Sequence, residues 1–233
     1  MLVILGNQLF PLRYLPPPDA APVFMAEDVG LCTYEQHHQQ KIVLFLAAMR
    51  AYADKLREAG YDVHYVELDT SDISAYEDKL AEVLEQCGSE KLVHFEIEDK
   101  AMEQRIIEFA DTGNLEREEL ASPMFTCSRE RFSKFAAGKR RLLMADFYKQ
   151  QRRRLDILID DDGEPAGGRW SFDADNRKKL PLNITPPVMP EASSGKHVED
   201  VIALDDKAFP DHPGKASEFC LQTTRADAEL CLD

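Results

Sequence analysis

The chain begins with four consecutive apolar residues, 2–5, that run directly into the polar segment Gly6-Asn7-Gln8. A short, unbroken apolar run is typical of a strand buried on both faces, as in a parallel sheet covered by helices. Open parallel sheets bind ligands at the carboxyl ends of their strands, so the polar segment lies where a ligand is expected. Gly6 permits a close backbone approach, and the two amides suit a flat heterocycle. The alternative is an ordinary turn, because the segment is not the Gly-x-Gly-x-x-Gly fingerprint.

Strand and helix patterns alternate through the first half of the chain. The strand-like runs are 2–5, 22–26, 63–68, 91–97 and 115–119, and the helical patterns are 35–59, 73–86 and 102–110. Helices of this length between strands predict an α/β fold with a doubly wound, parallel, five-stranded sheet of the Rossmann-like type. The crossovers are expected to be right-handed.

The pattern changes after residue 121. Two shorter helices are predicted at 128–137 and 142–155, and a Pro- and Ser-rich stretch follows from Leu180 to Gly195. The last stretch is irregular, with one helix start at Thr224. We therefore divide the chain into an α/β domain over 1–121, a helical extension packed on it over 122–180, and a connector over 181–233.

The charge balance bears on the kind of partner. The chain has 43 acidic and 28 basic residues and a net charge of −15. An acidic chain binds the phosphate backbone poorly, so contact with DNA is not expected of this chain. Three basic runs, 139–141, 152–154 and 177–179, are open to other readings: solvated faces, pairing with acidic residues, or phosphate contacts.

The cysteines and the hydropathy indicate a cytoplasmic protein. Five cysteines, an odd number without Cys-x-x-Cys spacing, argue against a zinc site or a secreted disulfide framework. Residues 1–5 lack the basic region of a signal peptide. The longest apolar helical stretch, 42–49, is too short to cross a bilayer, so no membrane contact is expected.

Four blocks of sequence resemble the photolyase/cryptochrome superfamily. They are LVILGNQL from residue 2, the block from TYEQHHQQ to YVELD at 33–69, the block from FTCSRERF to KQQRRR at 125–154, and GGRWSFDADNRKKLP from residue 167. The chain is most similar to the iron–sulfur bacterial cryptochromes and photolyases, the deoxyribodipyrimidine photolyase-related proteins. The resemblance extends over essentially all 233 residues.

This resemblance implies a function for the chain. Family members are about twice as long: an α/β antenna half binds a light-harvesting pigment, 6,7-dimethyl-8-ribityllumazine in the characterised type. A helical half carries flavin adenine dinucleotide (FAD), a [4Fe–4S] cluster and the DNA-lesion site. The chain resembles only the first half and the connector, so we expect a blue-light antenna domain without flavin, cluster or repair chemistry. The parent resembles a lyase, and whether this chain is itself an enzyme stays open.

The candidate pigment site follows from the resemblance residue by residue. Gly6, Asn7, Gln8 and Leu9 stand where the family shows Gly-Asp-Gln-Leu, with Asn7 in place of the acid. The other candidates are Glu27, Tyr34, His38, Lys41 and Ile42. Glu27 could accept from a ring N–H, or it could be a solvated strand-end acid. Tyr34, His38 and Lys41 share a face if the helix extends to residue 34, and His37-His38 could equally be a solvated helix start.

Two further expectations concern alternatives and partners. The alternative function is a non-catalytic nucleotide-, flavin- or partner-binding module without pigment. The expected partner is a helical domain of the same protein, which would cover Trp170, Phe172, Phe209 and Phe219. Without that cover the chain is expected to self-associate, since large exposed apolar patches are rare on soluble monomers.

Overall fold

The computed structural model describes residues 1–72, 74–181, 183–185, 188 and 195–231. The chain divides into two compact units, one of Met1–Met124 together with Pro190–Asp233, the other of Phe125–Met189. Residues 195–231 are assigned above to a connector. Their contacts group them with the α/β unit. Most of the Pro- and Ser-rich stretch, including Pro186, Pro187, Pro190, Ser193 and Ser194, lies outside the described residues, as does Ile73.

The sheet of the first unit is parallel and five-stranded, as predicted. Its strands are β1 (Leu2–Val3), β2 (Val23–Ala26), β3 (Val63–Val66), β4 (Lys91–Phe95) and β5 (Glu116–Leu120). Their spatial order is β3-β2-β1-β4-β5, and every neighbouring pair is parallel. The chain leaves β1 toward β2 and β3 and then returns to β4 on the other side. The topological switch point, where such sheets bind ligands, therefore lies at the carboxyl ends of β1 and β4.

Both faces of the sheet are covered by helices. The helices of this unit are α1 (Val29–Thr33), α2 (Gln39–Glu58), α3 (Tyr76–Cys87), α4 (Lys100–Thr112), α7 (Val198–Ala208) and α8 (Arg225–Leu230). Leu2 and Ile4 are buried with residues of α2 and α7, while Val3 and Leu5 are buried with residues of α3 and α4. Alternate side chains of β1 thus enter two separate cores, which explains why its sequence is apolar without interruption.

The helix predicted over 35–59 begins later, at Gln39, and a separate short helix, α1, precedes it. His38 has an extended backbone, and its Nδ1 accepts a hydrogen bond from the Gln40 N–H at 3.2 Å. A residue in this conformation caps a helix instead of continuing it. Tyr34 ends α1, so Tyr34, His38 and Lys41 do not lie on one continuous helix face.

The segment predicted as irregular contains the helix α7. Val198 and Val201 are buried against α2, at 6% and 0% exposure. Phe209, expected to pack on a further domain, is 4% exposed within this core, and Phe219 is partly buried against it. Phe209 is therefore buried within this unit, and the partner expected for both rings stays a prediction. The helix start predicted at Thr224 is confirmed as the N-cap of α8.

The second unit contains two helices, α5 (Arg129–Ala136) and α6 (Met144–Leu155), close to the predicted ranges. The side chain of Ser128 caps α5 as predicted. Arg152 is 5% exposed and donates to the carbonyls of Ile157 and Leu158. Trp170 lies beside Arg153, 4.5 Å from its guanidinium carbon. Among the described residues, neither unit has a helix that is long and apolar enough to cross a membrane.

A buried ion pair joins α3 to the end of β2, and its removal tests the packing. Lys79 Nζ lies 3.1 Å from Asp28 Oδ2, and both side chains are about 5% exposed. We expect Lys79→Met to lower the free energy of unfolding by about 3–5 kcal/mol, because Asp28 would keep an unpaired buried charge. Urea unfolding followed by circular dichroism measures this.

The matched control is Lys91→Met. Lys91 also pairs with carboxylates, those of Glu116 and Glu118, but it is 42% exposed, where water screens the pairs. We expect the control to unfold at nearly the wild-type urea concentration. Equal losses in both variants would contradict the buried pair.

Candidate functional site

A cavity of about 520 Å³ lies at the carboxyl edge of the sheet in the α/β unit. It is bounded by the ends of β1 and β2, by α1, by the first turns of α2, and by the starts of α3 and α4. Cavities that hold small molecules have volumes of about 300–1,000 Å³. Both its size and its place at this edge suit a small-molecule site.

Most of the cavity wall is apolar. Its apolar lining residues are Leu5, Ala26, Leu31, Ile42, Phe45, Leu46, Met49, Tyr76 and Met102. Gly6 brings the backbone after β1 close to α2, since an added Cβ would lie 2.7 Å from Met49 Sδ. A larger residue would push this wall outward. The wall therefore offers surface for packing against a flat, largely apolar molecule.

Glu27 is the most heavily bonded side chain at the end of β2. Its Oε1 accepts from Arg50 Nε at 2.7 Å and from the Tyr65 hydroxyl at 2.6 Å. Its Oε2 accepts from Arg50 NH2 at 2.9 Å and from the Leu68 N–H at 2.8 Å. A carboxylate has about four acceptor positions, and all four are occupied. The Glu27 carboxylate thus joins β2, β3 and α2, and its acceptance of a bond from a ligand stays a prediction.

The other acids of the lining are also used internally. Asp28 accepts from Lys79 and from the Leu31 N–H at 2.8 Å, and so caps α1. Asp99 caps α4 by accepting from the Met102 N–H at 2.9 Å. Arg105, a cation of the lining, donates two bonds of 2.6 and 2.7 Å to Glu77, which lower the pKa of that carboxyl. Because these acids and Arg105 are already paired within the protein, the cavity lining suits binding of a ligand better than acid–base chemistry.

The remaining polar edge is formed by Asn7, Tyr34, His37 and Lys41. Lys41 Nζ lies 3.2 Å from His37 Nδ1, and the Tyr34 ring lies edge-on to the His37 ring with centroids 4.8 Å apart. Burial, followed by the Lys41 charge, lowers the pKa of His37. A neutral His37 can accept from Lys41, which leaves the Lys41 charge on this edge. This edge favours an electron-rich or anionic group of a ligand.

Cys32 is the cysteine of the lining, and it is unreactive. Burial first, and then the Glu27 charge, raises the pKa of its thiol to about 12. The thiolate is the nucleophilic form, so a covalent adduct at this residue is not expected. Among the described residues, no group of three or more His, Cys, Asp or Glu side chains is placed to hold a metal ion.

Six of the nine sequence-predicted site residues line the cavity: Gly6, Asn7, Glu27, Tyr34, Lys41 and Ile42. Three do not. Gln8 is fully buried and donates to the Glu96 carbonyl at 3.0 Å, Leu9 packs against the core, and the His38 ring lies on Gly214. The binding role of all nine stays a prediction.

Several lining residues are not among the nine predicted from the sequence. His37 lines the cavity in place of its neighbour His38, because the helix starts later than predicted. The spacing of Phe45 and Met49 indicates a buried face of α2, but this pattern does not show that the face continues into a cavity. Tyr76 and Met102 come from the starts of α3 and α4. The parallel order places helix starts at this edge, which is the signal that could have indicated them.

Comparison with known proteins gives the relatives of this chain. The family described as deoxyribodipyrimidine photo-lyase-related protein matches residues 2–221. A "(6-4) photolyase" of Agrobacterium fabrum is 29% identical over 236 aligned residues, which cover 100% of this chain and 46% of that protein. An uncharacterised protein of Acanthamoeba polyphaga mimivirus is 30% identical over 192 residues, 78% of this chain and 95% of the viral protein. The chain thus spans about half the length of the photolyase and matches nearly all of the viral protein.

Neutralising Glu27 tests its structural role. We expect Glu27→Gln to lower the free energy of unfolding by about 3–5 kcal/mol, because Arg50, 11% exposed, would lose its buried counter-charge. The control Glu67→Gln removes the second acid near Arg50, at 3.9 Å and 71% exposed, and should unfold almost as wild type does. Urea unfolding of both variants measures these free energies. A Glu27→Gln protein as stable as wild type would contradict the structural role of Glu27.

Proposed function

This chain belongs to the family of deoxyribodipyrimidine photo-lyase-related proteins, and from that membership we propose that its α/β unit is a light-harvesting, chromophore-binding domain. The observation that carries the proposal is the cavity at the carboxyl edge of the sheet, with its apolar wall and its internally paired acids. A site of this kind can hold a molecule firmly without acting on it. Its fixed position within the fold matches what an antenna pigment requires.

The residues present fit a ribityl-lumazine or a similar pigment. Phe45 and Tyr34 are aromatic residues of the cavity lining, and neither is buried in the core. The Asn7 amide and the Lys41 ammonium would pair with the carbonyl and imide atoms of such a ring. When bound, the pigment would supply absorption of blue light, and the protein would supply orientation and exclusion of water.

Rigidity of the wall supports an antenna over a catalyst. Excitation transfer to a second chromophore depends on the orientation of the pigment, and so on walls that do not move. The four bonds to Glu27 fix the end of β2 to its neighbours, and the buried pair of Lys79 and Asp28 fixes α3 to the same point. Side chains held by packing and by such bonds give a preorganised site.

The rest of the light-driven system is proposed to lie outside these residues. The match covers 46% of the (6-4) photolyase, and we assign FAD, an iron–sulfur cluster and any repair chemistry to a helical half that corresponds to the remainder. That half is the proposed partner of this chain. All five cysteines are free thiols, which supports a reducing, cytoplasmic location.

The alternative function, a nucleotide- or flavin-binding module, has less support. Phosphate groups need free cations or free backbone N–H groups, and the guanidinium of Arg105 is already held by Glu77. Lys41 is the cation of the polar edge that is not paired with a carboxylate in the described contacts. One such cation suits a ring substituent better than a diphosphate.

Binding of 6,7-dimethyl-8-ribityllumazine tests the proposal. We expect the wild-type chain to bind it with a change in fluorescence, and Lys41→Gln to weaken binding by about tenfold, since a charge-assisted hydrogen bond contributes about 1.5–3 kcal/mol when buried and less at an open edge. The control Lys55→Gln, on the exposed side of the same helix α2, should bind as wild type does.

The competing outcomes are distinct. Saturable binding of FAD or of ATP, with no binding of the lumazine, would favour the alternative function. Equal lumazine affinity for wild type and Lys41→Gln would place the ligand away from the polar edge.

A further inference from the structure

The C-terminal part of the α/β unit packs along the helix that forms one wall of the cavity. We call residues 195–231 the return segment, because it comes back to this unit after the second one. It contains α7 and the short 3-10 helix Ala216–Glu218. Val201 and Ala216 are fully buried in the core beside α2. The return segment thus contributes to the same core as the sheet.

Gln39, the first residue of α2, binds the return segment in three ways. Its N–H donates to the Pro213 carbonyl at 2.9 Å, and its Nε2 donates to the Phe209 carbonyl at 3.1 Å. Its Oε1 accepts from the Ala216 N–H at 3.1 Å. The side chain is 5% exposed, so these bonds are shielded from water. Buried amides that use both their donor and acceptor atoms hold two segments in one register.

The same contact reaches the cavity wall. His212 Nδ1 lies 2.9 Å from the His37 carbonyl oxygen, and the ring of His38 packs on Gly214. His37 and Lys41, which form the polar edge of the cavity, flank Gln39 in the chain. The position of this edge is therefore set by residues about 170 positions later in the sequence.

The return segment also carries a buried carboxyl group without a partner. Asp205, in α7, has 0% exposure, and in the described contacts neither of its carboxylate oxygens has a hydrogen-bond partner. It lies close enough to Cys32, which lines the cavity, to raise the pKa of that thiol. An ionised carboxylate is costly in such a place, whereas a protonated carboxyl is tolerated. Burial first, and then the neighbouring Asp206, raises the pKa of Asp205 to about 7.

Several ionisable groups bear on Asp205. Asp205 interacts electrostatically with the thiol of Cys32 in α1, and Glu27, Asp28 and Lys79 act on the same thiol. Asp206 is on the same helix. Ionisable groups of the adjoining elements are paired with one another: Asp54 of α2 with Lys196 and His197, and Lys215 with Glu218. His212 contacts His37 at the other end of the segment.

We propose that the return segment is a proton-linked strap: it holds the His37–Lys41 edge of the cavity in place while Asp205 is protonated, and it loosens when Asp205 ionises. The site that the strap regulates is the cavity described under the proposed function. The inference rests on that proposed function only for the identity of the ligand whose binding is regulated. The docking and its response to pH concern the protein alone.

The direction of the pH effect follows from linkage. In the docked state Asp205 titrates near 7, and in an opened, hydrated state near its ordinary pKa of 3.8. The docked state therefore retains a proton that the opened state releases. Opening becomes more favourable as the pH rises from about 4 to about 7 and changes little above that. Between about pH 5 and pH 7.5 the opening constant should rise on the order of 50-fold.

Hydrogen exchange of the full chain, read by mass spectrometry, tests this without any ligand. In wild type, protection factors of the peptides that contain 37–41 and 209–216 should fall together, on the order of 50-fold, between about pH 5 and pH 7.5. Asp205→Asn mimics the protonated carboxyl and should show no such fall. The matched control Asp206→Asn should keep most of it. Because the return segment also contains His197 and His212, an equal pH response in Asp205→Asn and wild type would overturn the proposal.

Two further measurements keep the test decisive. If Asp205→Asn fails to fold, carbon-13 NMR of the wild-type Asp205 carboxyl decides: titration near 7 supports the proposal and titration near 4 overturns it. Gln39→Ala should lower the protection of 37–41 and 209–216 together, and loss at 209–216 alone would reject the link to the cavity edge. Failure of lumazine binding would leave all of these results unchanged, so the two proposals fail separately.

Discussion

The carboxylate of Glu27 is the interaction on which the ligand-binding edge of the fold depends. It ends β2, and its four hydrogen bonds come from Arg50 of α2, from Tyr65 of β3 and from the backbone after β3. A buried charge is tolerated only where its acceptor positions are filled, so β2, β3 and α2 must meet in this arrangement for the chain to fold. Burial and the nearby Glu27 charge raise the pKa of Tyr65 well above its ordinary range, so its hydroxyl stays a donor.

Internal pairing of the acids gives the cavity its chemical character. Glu27, Asp28 and Asp99 each accept bonds from the protein, and Glu77 holds the Arg105 cation. A catalytic acid or base needs a proton that it can exchange with a substrate, and groups bonded in this way are not free to do so. What remains for a ligand is apolar wall and the Lys41 edge. These features are compatible with the proposed retention of a chromophore.

The sequence determines the sheet more clearly than the site. The apolar run at β1 and the alternation of strands and helices predicted a parallel, five-stranded sheet, because each depends on local periodicity. The start of α2 was predicted four residues too early, since residues 35–38 contain no helix breaker. Their conformation is set by His38 and by bonds from Gln39 to Phe209 and Ala216, about 170 residues away. Periodicity in one segment carries no information about such contacts, so it could not show that His37, and not His38, lines the cavity.

The return segment is a second case in which the local sequence pattern did not predict the structure. The spacing of Val198, Val201 and Ile202 is that of an amphipathic helix, but the buried Asp205 follows where an apolar residue would continue the pattern. Asp205 thus interrupts the apolar pattern that would have predicted α7. The same residue makes the docking of α7 dependent on a proton. A leucine in its place would give a more regular pattern and a strap insensitive to pH. A buried carboxyl with neither oxygen partnered is therefore best explained by a segment that must be able to leave its place.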